Sequence, residues 1–217
     1  NKYGKSANDM SEAMYQALSA GVSQDKVKDF LEVAQKGATA GVTDVTTAVD
    51  GLSSVVNAWG ENTISAAQAS DLIFTAVKNG KTSFEEVAGS IAQVSPIASA
   101  LGVNFSDVSA AIGTLTAKGT PTSVVMTQMK AAFSEFSKGS TVASKEFKKA
   151  TGQSFQEFIA KGGNLQTAMQ ALETHAKKTG KNINEFFGSV EAGSFALSLT
   201  GENTESFTKN MQDMKNS

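Results

Sequence analysis

Gly21-Val22-Ser23, Gly41-Val42-Thr43 and Gly102-Val103-Asn104 are three copies of one signal, and their reading decides the fold. A glycine just past a helix takes the left-handed conformation without a Cβ penalty. The valine then packs back on the last turn, and the polar third residue caps the next helix. Each triplet therefore predicts a helix stop and an immediate restart. Gly60, Asn79-Gly80, Gly119, Gly139, Gly152, Gly162-Gly163 and Gly180 continue the series, so the chain reads as short helices joined by very short turns.

Between these marks the apolar residues recur at helical spacing. Met10, Ala13, Met14, Ala17 and Leu18 predict a first helix over about Ser6 to Ala20. Val27, Phe30, Leu31, Ala34 and Ala38 predict a second over Gln24 to Thr39, and Val45 to Trp59 a third whose apolar stripe is wide enough to meet more than one neighbour. Ser65 is read as a cap, and Ser83 with Glu86 as a capping box. Pro96 is read as ending or kinking the helix that the box opens. Ser106 is assigned as the cap of the next helix, and Pro121 sits in a first-turn position ahead of Val125, Met126, Met129, Phe133 and Phe136. Ser154 with Glu157 makes another box, Asn164 opens a helix through Ala176, and Gly188 and Gly193 interrupt a helical stretch from Phe186 to Leu199. A last amphipathic segment carries Phe207, Met211 and Met214. No stretch alternates as a strand does, which predicts an all-α fold: a compact bundle of about 9–11 short helices. The glycine marks hold no common period, which favours a bundle over a solenoid. Helices before Gly139 are long and rich in Ala and Val, and those after it are shorter, Phe-rich and Lys-decorated. The division expected is 1–139 as an N-terminal helical bundle and 140–217 as a smaller C-terminal helical part, separate or continuous with the first, the whole being a fragment of a longer protein.

Composition narrows the chemistry. The 217 residues are 40% hydrophobic and 18% charged, enough for a sizeable core, and a net charge of −2 gives no positive field for nucleic acid or an anionic membrane. All basic residues are Lys, so no guanidinium fork is available for phosphate or carboxylate. Without Cys there is no disulfide, thiolate or Cys metal site, and no apolar run reaches the roughly 18 residues of a membrane span. His175, the single histidine, lies among Glu173, Lys177 and Lys178 and reads as part of a solvated helix face, like Lys148, Lys149 and Lys181. Asn79-Gly80-Lys81-Thr82 ends like a phosphate-binding loop but has Thr75 where glycine is needed and follows a helical segment, so it reads as a stop plus a cap. Glu85 and Glu86 diverge on a helix and suit the positive end of its dipole. Asn104-Phe105-Ser106 has the form of a glycosylation sequon, with Ser106 taken instead as a cap. Trp59, Phe133, Phe136 and the methionines read as core. No catalytic, cofactor-binding or metal-binding residue is expected.

Three segments carry a family resemblance: Asp71-Leu72-Ile73-Phe74-Thr75-Ala76-Val77-Lys78-Asn79-Gly80-Lys81-Thr82-Ser83-Phe84-Glu85-Glu86-Val87, then Pro96-Ile97-Ala98 through Gly102-Val103, then Ala110-Ala111-Ile112-Gly113-Thr114-Leu115-Thr116-Ala117-Lys118-Gly119. Together with Lys36-Gly37-Ala38-Thr39-Ala40-Gly41-Val42-Thr43-Asp44, they resemble the core region of phage tail tape measure proteins, from a phage or prophage of a Gram-positive-type bacterium. The resemblance spans roughly residues 10 to 200. It implies a non-enzymatic structural protein of the virion tail, present in the host cytoplasm during assembly, that sets tail length and leaves with the DNA. The partners it implies are other phage tail proteins (tube, tail tip or baseplate, assembly chaperones) and self-association, with no specific nucleic acid binding. Family members with peptidoglycan-cleaving domains or membrane-active segments exist, so an accessory domain of a cell-wall lytic enzyme and a membrane-active injection or toxin element are the alternatives. As one continuous helix the chain would reach about 325 Å, against a radius of gyration near 17 Å if compact, and glycine stops every few turns favour the compact form.

Overall fold

The computed structural model describes residues 7–217, so the expected helix start at Ser6 lies outside the described residues. Among the described residues there is no strand, and the all-α expectation holds. Thirteen α-helices and three 3₁₀ turns exceed the expected 9–11 because several predicted helices divide. They run α1 Ala7–Ser19, α2 Val27–Ala40, α3 Val45–Trp59, α4 Ala66–Asn79, α5 Phe84–Ala88, α6 Ser95–Ala100 and α7 Phe105–Ala117. The remainder are α8 Thr122–Ser137, α9 Val142–Thr151, α10 Phe155–Ala160, α11 Leu165–Lys178, α12 Val190–Ser198 and α13 Thr204–Lys215.

Most starts follow local chemistry. The orphan N–H groups of α4, α5 and α10 are met by the Ser65/Gln68, Ser83/Glu86 and Ser154/Glu157 boxes, and those of α11 by Asn164 with Thr167. Three assignments need correction. Pro96 opens α6 rather than ending the preceding helix, which already stops at Ala88. Its missing N–H costs nothing in a first turn. Ser106 is inside α7 and Asn104 takes the N-cap position without a side-chain cap bond. Pro121, expected in a first turn, is one residue earlier, at the N-cap of α8. Ser23 and Thr43 likewise leave capping to others: α2 begins at Val27 after Lys26, and Asp44 caps α3 by accepting from the Thr47 amide at 2.7 Å. Gly193 does not interrupt α12. It lets that helix lie against Asn184, whose Cβ is 3.1 Å from where a glycine Cβ would stand.

The stop signals divide into two kinds. Gly21 and Gly102 adopt the left-handed conformation, with φ of 94° and 77°, as expected. Gly41 does not: its φ is −85°, and Val42 takes the positive φ of 54°. Glycine is required at 41 for space, since a Cβ there would be 2.5 Å from the Cβ of Phe84.

At the centre lies α7, buried from Phe105 to Thr116 on nearly every side, with Asp107, Ser109, Thr114 and Thr116 enclosed among its apolar residues. It packs chiefly on α4 and α13, with α6 and α8 on its remaining sides. Helices α1 and α2 cover α3, α12 lies along α8, and α9 pairs with α11. Trp59, Phe133, Phe136 and most methionines enter the core as predicted, although Trp59 keeps some exposure while its indole N–H donates to the Val103 carbonyl at 2.7 Å. Met14 stays on the surface.

Candidate functional site

The residues with chemical capacity are distributed along helix joints. Glu146 on α9 faces His175 on α11, with Oε2 2.8 Å from Nε2, while Oε1 accepts from Lys149 at 2.7 Å. The hydrogen bond from Lys149, then that from His175, holds the Glu146 carboxyl below its ordinary range. His175 also lies against the Phe186 ring, centroid to centroid 5.7 Å, and its side chain is only 17% exposed. This corrects the solvated-face reading for His175: α9 folds across it because Ala143 and Phe147 must be buried on the same side. Lys177 and Lys178 are exposed as expected, Lys177 pairing with Glu173 at 2.8 Å.

Two carboxylates that sequence reasoning missed join distant elements. Glu135 on α8 accepts from the Gly188 amide at 2.9 Å, and from the Ser189 amide and hydroxyl at 3.1 and 3.2 Å, fixing the entry to α12. Nothing local announces it, because its partners lie more than 50 residues on. Asp107 is 4% exposed and accepts from the Leu165 amide at 2.8 Å at the start of α11. Burial pushes its carboxyl above the ordinary range, opposed by the Leu165 and Ser106 hydrogen bonds and by the charge of Lys215.

The remaining marked residues serve helix ends and joints. Asn79 is the last residue of α4, Gly80-Lys81-Thr82 follow it, and the Thr82 hydroxyl lies 2.7 Å from that of Thr122. Glu85 and Glu86 occupy the first turn of α5, as expected. A cleft of about 370 Å³ between α2 and the start of α4 is walled by Val22, Phe30, Val33 and Val56 and crossed by the Lys26–Glu61 ion pair. A second, also about 370 Å³, lies over Asp107 between α10 and α13. Among the described residues no three His, Asp or Glu side chains converge to hold a metal ion, and no helix is long and apolar enough to cross a membrane.

These features define an all-α module whose polar side chains join helices to one another. The chain belongs to the phage-related minor tail protein family, whose model matches residues 1–188. It is 34% identical over 221 aligned positions to the probable tape measure protein of Clostridium phage phiCD119. That match covers 97% of this chain but 23% of the relative, so the chain spans about a quarter of that protein's length. No solved structure matches it.

Proposed function

We propose that this chain is a globular helical module of a tape measure protein, a non-enzymatic component of the virion tail that takes part in tail assembly and length determination and leaves with the DNA at ejection. The observation that carries this reading is the similarity along 97% of the chain to a probable tape measure protein. The enclosed helical core supports it, since the buried Asp107 and the part-buried Glu135 and Glu146 bond to other elements of the fold. Its partners are other tail proteins (tube, tail tip or baseplate, and assembly chaperones) and it is present in the host cytoplasm while tails assemble. Residues 1–139 and 140–217 act as one unit, because α12 packs on α8 and α13 on α4 and α7.

In-frame deletion of this segment from the parent phage tests the reading by electron microscopy of tails. The expected result is assembled tails shortened by far less than the roughly 325 Å of an extended helix of this length, or a failure to build tails. Tails unchanged in number and length would overturn it. Release of soluble muropeptides from peptidoglycan, or leakage of liposomes, by the purified protein would overturn the non-enzymatic structural role.

A further inference from the structure

The last helix is attached differently from the rest. A turn over Leu199 to Asn203 carries the chain away from α12, with Gly201 at φ 60° and its amide donating to Glu173 at 3.1 Å. Helix α13 then lies on α7 and α4, elements about a hundred residues earlier, and meets α11 only lightly. Three large apolar side chains, Phe207, Met211 and Met214, enter the core from it. Much of the remaining hold is polar: Asn210 Nδ2 donates to Thr114 Oγ1 at 2.7 Å and Asn79 Nδ2 to Asp213 Oδ2 at 2.9 Å. Gln166 also bonds to Thr208. Lifting α13 would leave α7 still covered by α4, α6 and α8. Helix α13 buries four of its 12 residues, on one face, against 11 of 13 in α7, and elements that bury less open below the global unfolding free energy.

Met211 and Lys215 of α13 form one side of the cleft over Asp107. In the closed state that carboxylate is withdrawn from water. Its compensation comes from the Leu165 amide on α11, Ser106 on α7 and the ammonium of Lys215. Besides Asp107, Lys215 is the one charged side chain lining the cleft among the described residues; the other polar groups there, Asn104, Gln156 and Asn164, are neutral. Closure therefore works against carboxylate hydration, a cost that one amide, a hydroxyl and a single lysine only partly offset.

We propose that α13 is a strap that opens as a unit from an otherwise folded module, and that the buried charge of Asp107 sets how readily it opens. Opening rehydrates Asp107 and uncovers the small-residue seam of Gly113 and Thr114 on α7. Because burial raises the Asp107 carboxyl, protons bind the closed state more tightly than the open one. The strap therefore closes as pH falls and loosens as pH rises.

Native-state hydrogen exchange of the whole 217-residue chain, read by mass spectrometry, tests this. At about pH 7 the amides of α13 are expected to open at least about tenfold more often than those of α7. Asp107→Asn keeps an acceptor for the Leu165 amide without the charge, and should reduce α13 opening relative to α7. Lys215→Ala should increase it. If Asp107→Asn does not fold, the wild-type series carries the same comparison: α13 opening relative to α7 should fall as pH is lowered from about 7 toward the ordinary carboxylate range, after correction for intrinsic exchange. Exchange of α13 and α7 in step would overturn the strap. A difference between them that neither pH nor Asp107→Asn alters would overturn the role of Asp107.

Discussion

Two parts of this molecule fill a helical core by opposite means. Before Gly139 the helices come together by losing side chains. A Cβ at Gly51 on α3 would be 2.6 Å from the Ala88 Cα, and one at Gly80 would overlap the Thr116 hydroxyl. From the end of α8 onward the space between the helices is filled with rings. Phe136 stacks on Phe155 at 4.4 Å and meets Phe147 and Phe187 edge-on at 5.7 and 5.6 Å, while Phe147 adds Phe158 at 5.4 Å. Where a glycine faces a neighbour the backbones approach closely, and where they stand farther apart phenylalanine fills the space with a large buried ring. One core should therefore fail on addition of atoms and the other on their removal.

The harshest break of this comparison is to separate the halves. A fragment of residues 1–139 is expected to lose cooperative unfolding in urea, because the α7 and α4 surfaces under α13 and the α8 surface under α12 become exposed; a sharp transition close to that of the whole chain would show that the N-terminal helices stand alone. Within the whole chain, Phe136→Ala removes the hub of the ring cluster and should lower stability by about 3–5 kcal/mol, measured as a shift of the urea midpoint. Gly51→Val tests the other core. With backbone of α5 in the way it should cost about 3 kcal/mol, and a smaller loss than that of Gly51→Ala would show that α3 and α5 can move apart.

The smallest effect has the opposite sign. Val42 is 87% exposed and holds a φ of 54°, which a β-branched residue reaches only with strain. Val42→Gly is expected to raise stability by about 1 kcal/mol, since relief of the left-handed conformation outweighs the added freedom of the unfolded chain. An unchanged or lower urea midpoint would show that the α2–α3 turn is not strained there.

These outcomes follow the line between what was legible and what was not. The Ser83/Glu86 and Ser154/Glu157 boxes, the left-handed Gly21 and Gly102, and the apolar stripes could be read directly, because each links residues within one or two turns. Phe136 could be assigned to the core, but not its three ring neighbours, which come from α9, α10 and the segment before α12. Gly41 was read as a left-handed stop when its real constraint is the approach of Phe84, 43 residues later in the chain. His175 was read as surface because its own helix is polar around it. Its burial comes from Glu146 and Phe186, which other elements bring.

The sequence by itself determined that this chain is helical, where most helices start and stop, and which family it resembles, since caps, stops and 3.6-residue periodicity act over a few residues and are written locally. Only the tertiary structure decided which carboxylates carry joints. Glu135 meets Gly188, Asp107 meets Leu165 and Glu146 meets His175 through chain reversals whose angles depend on how apolar faces pack. It also decided that the last helix returns to the first half of the molecule. Packing free energy is collective, and no local pattern specifies which of several compatible faces a helix will finally cover.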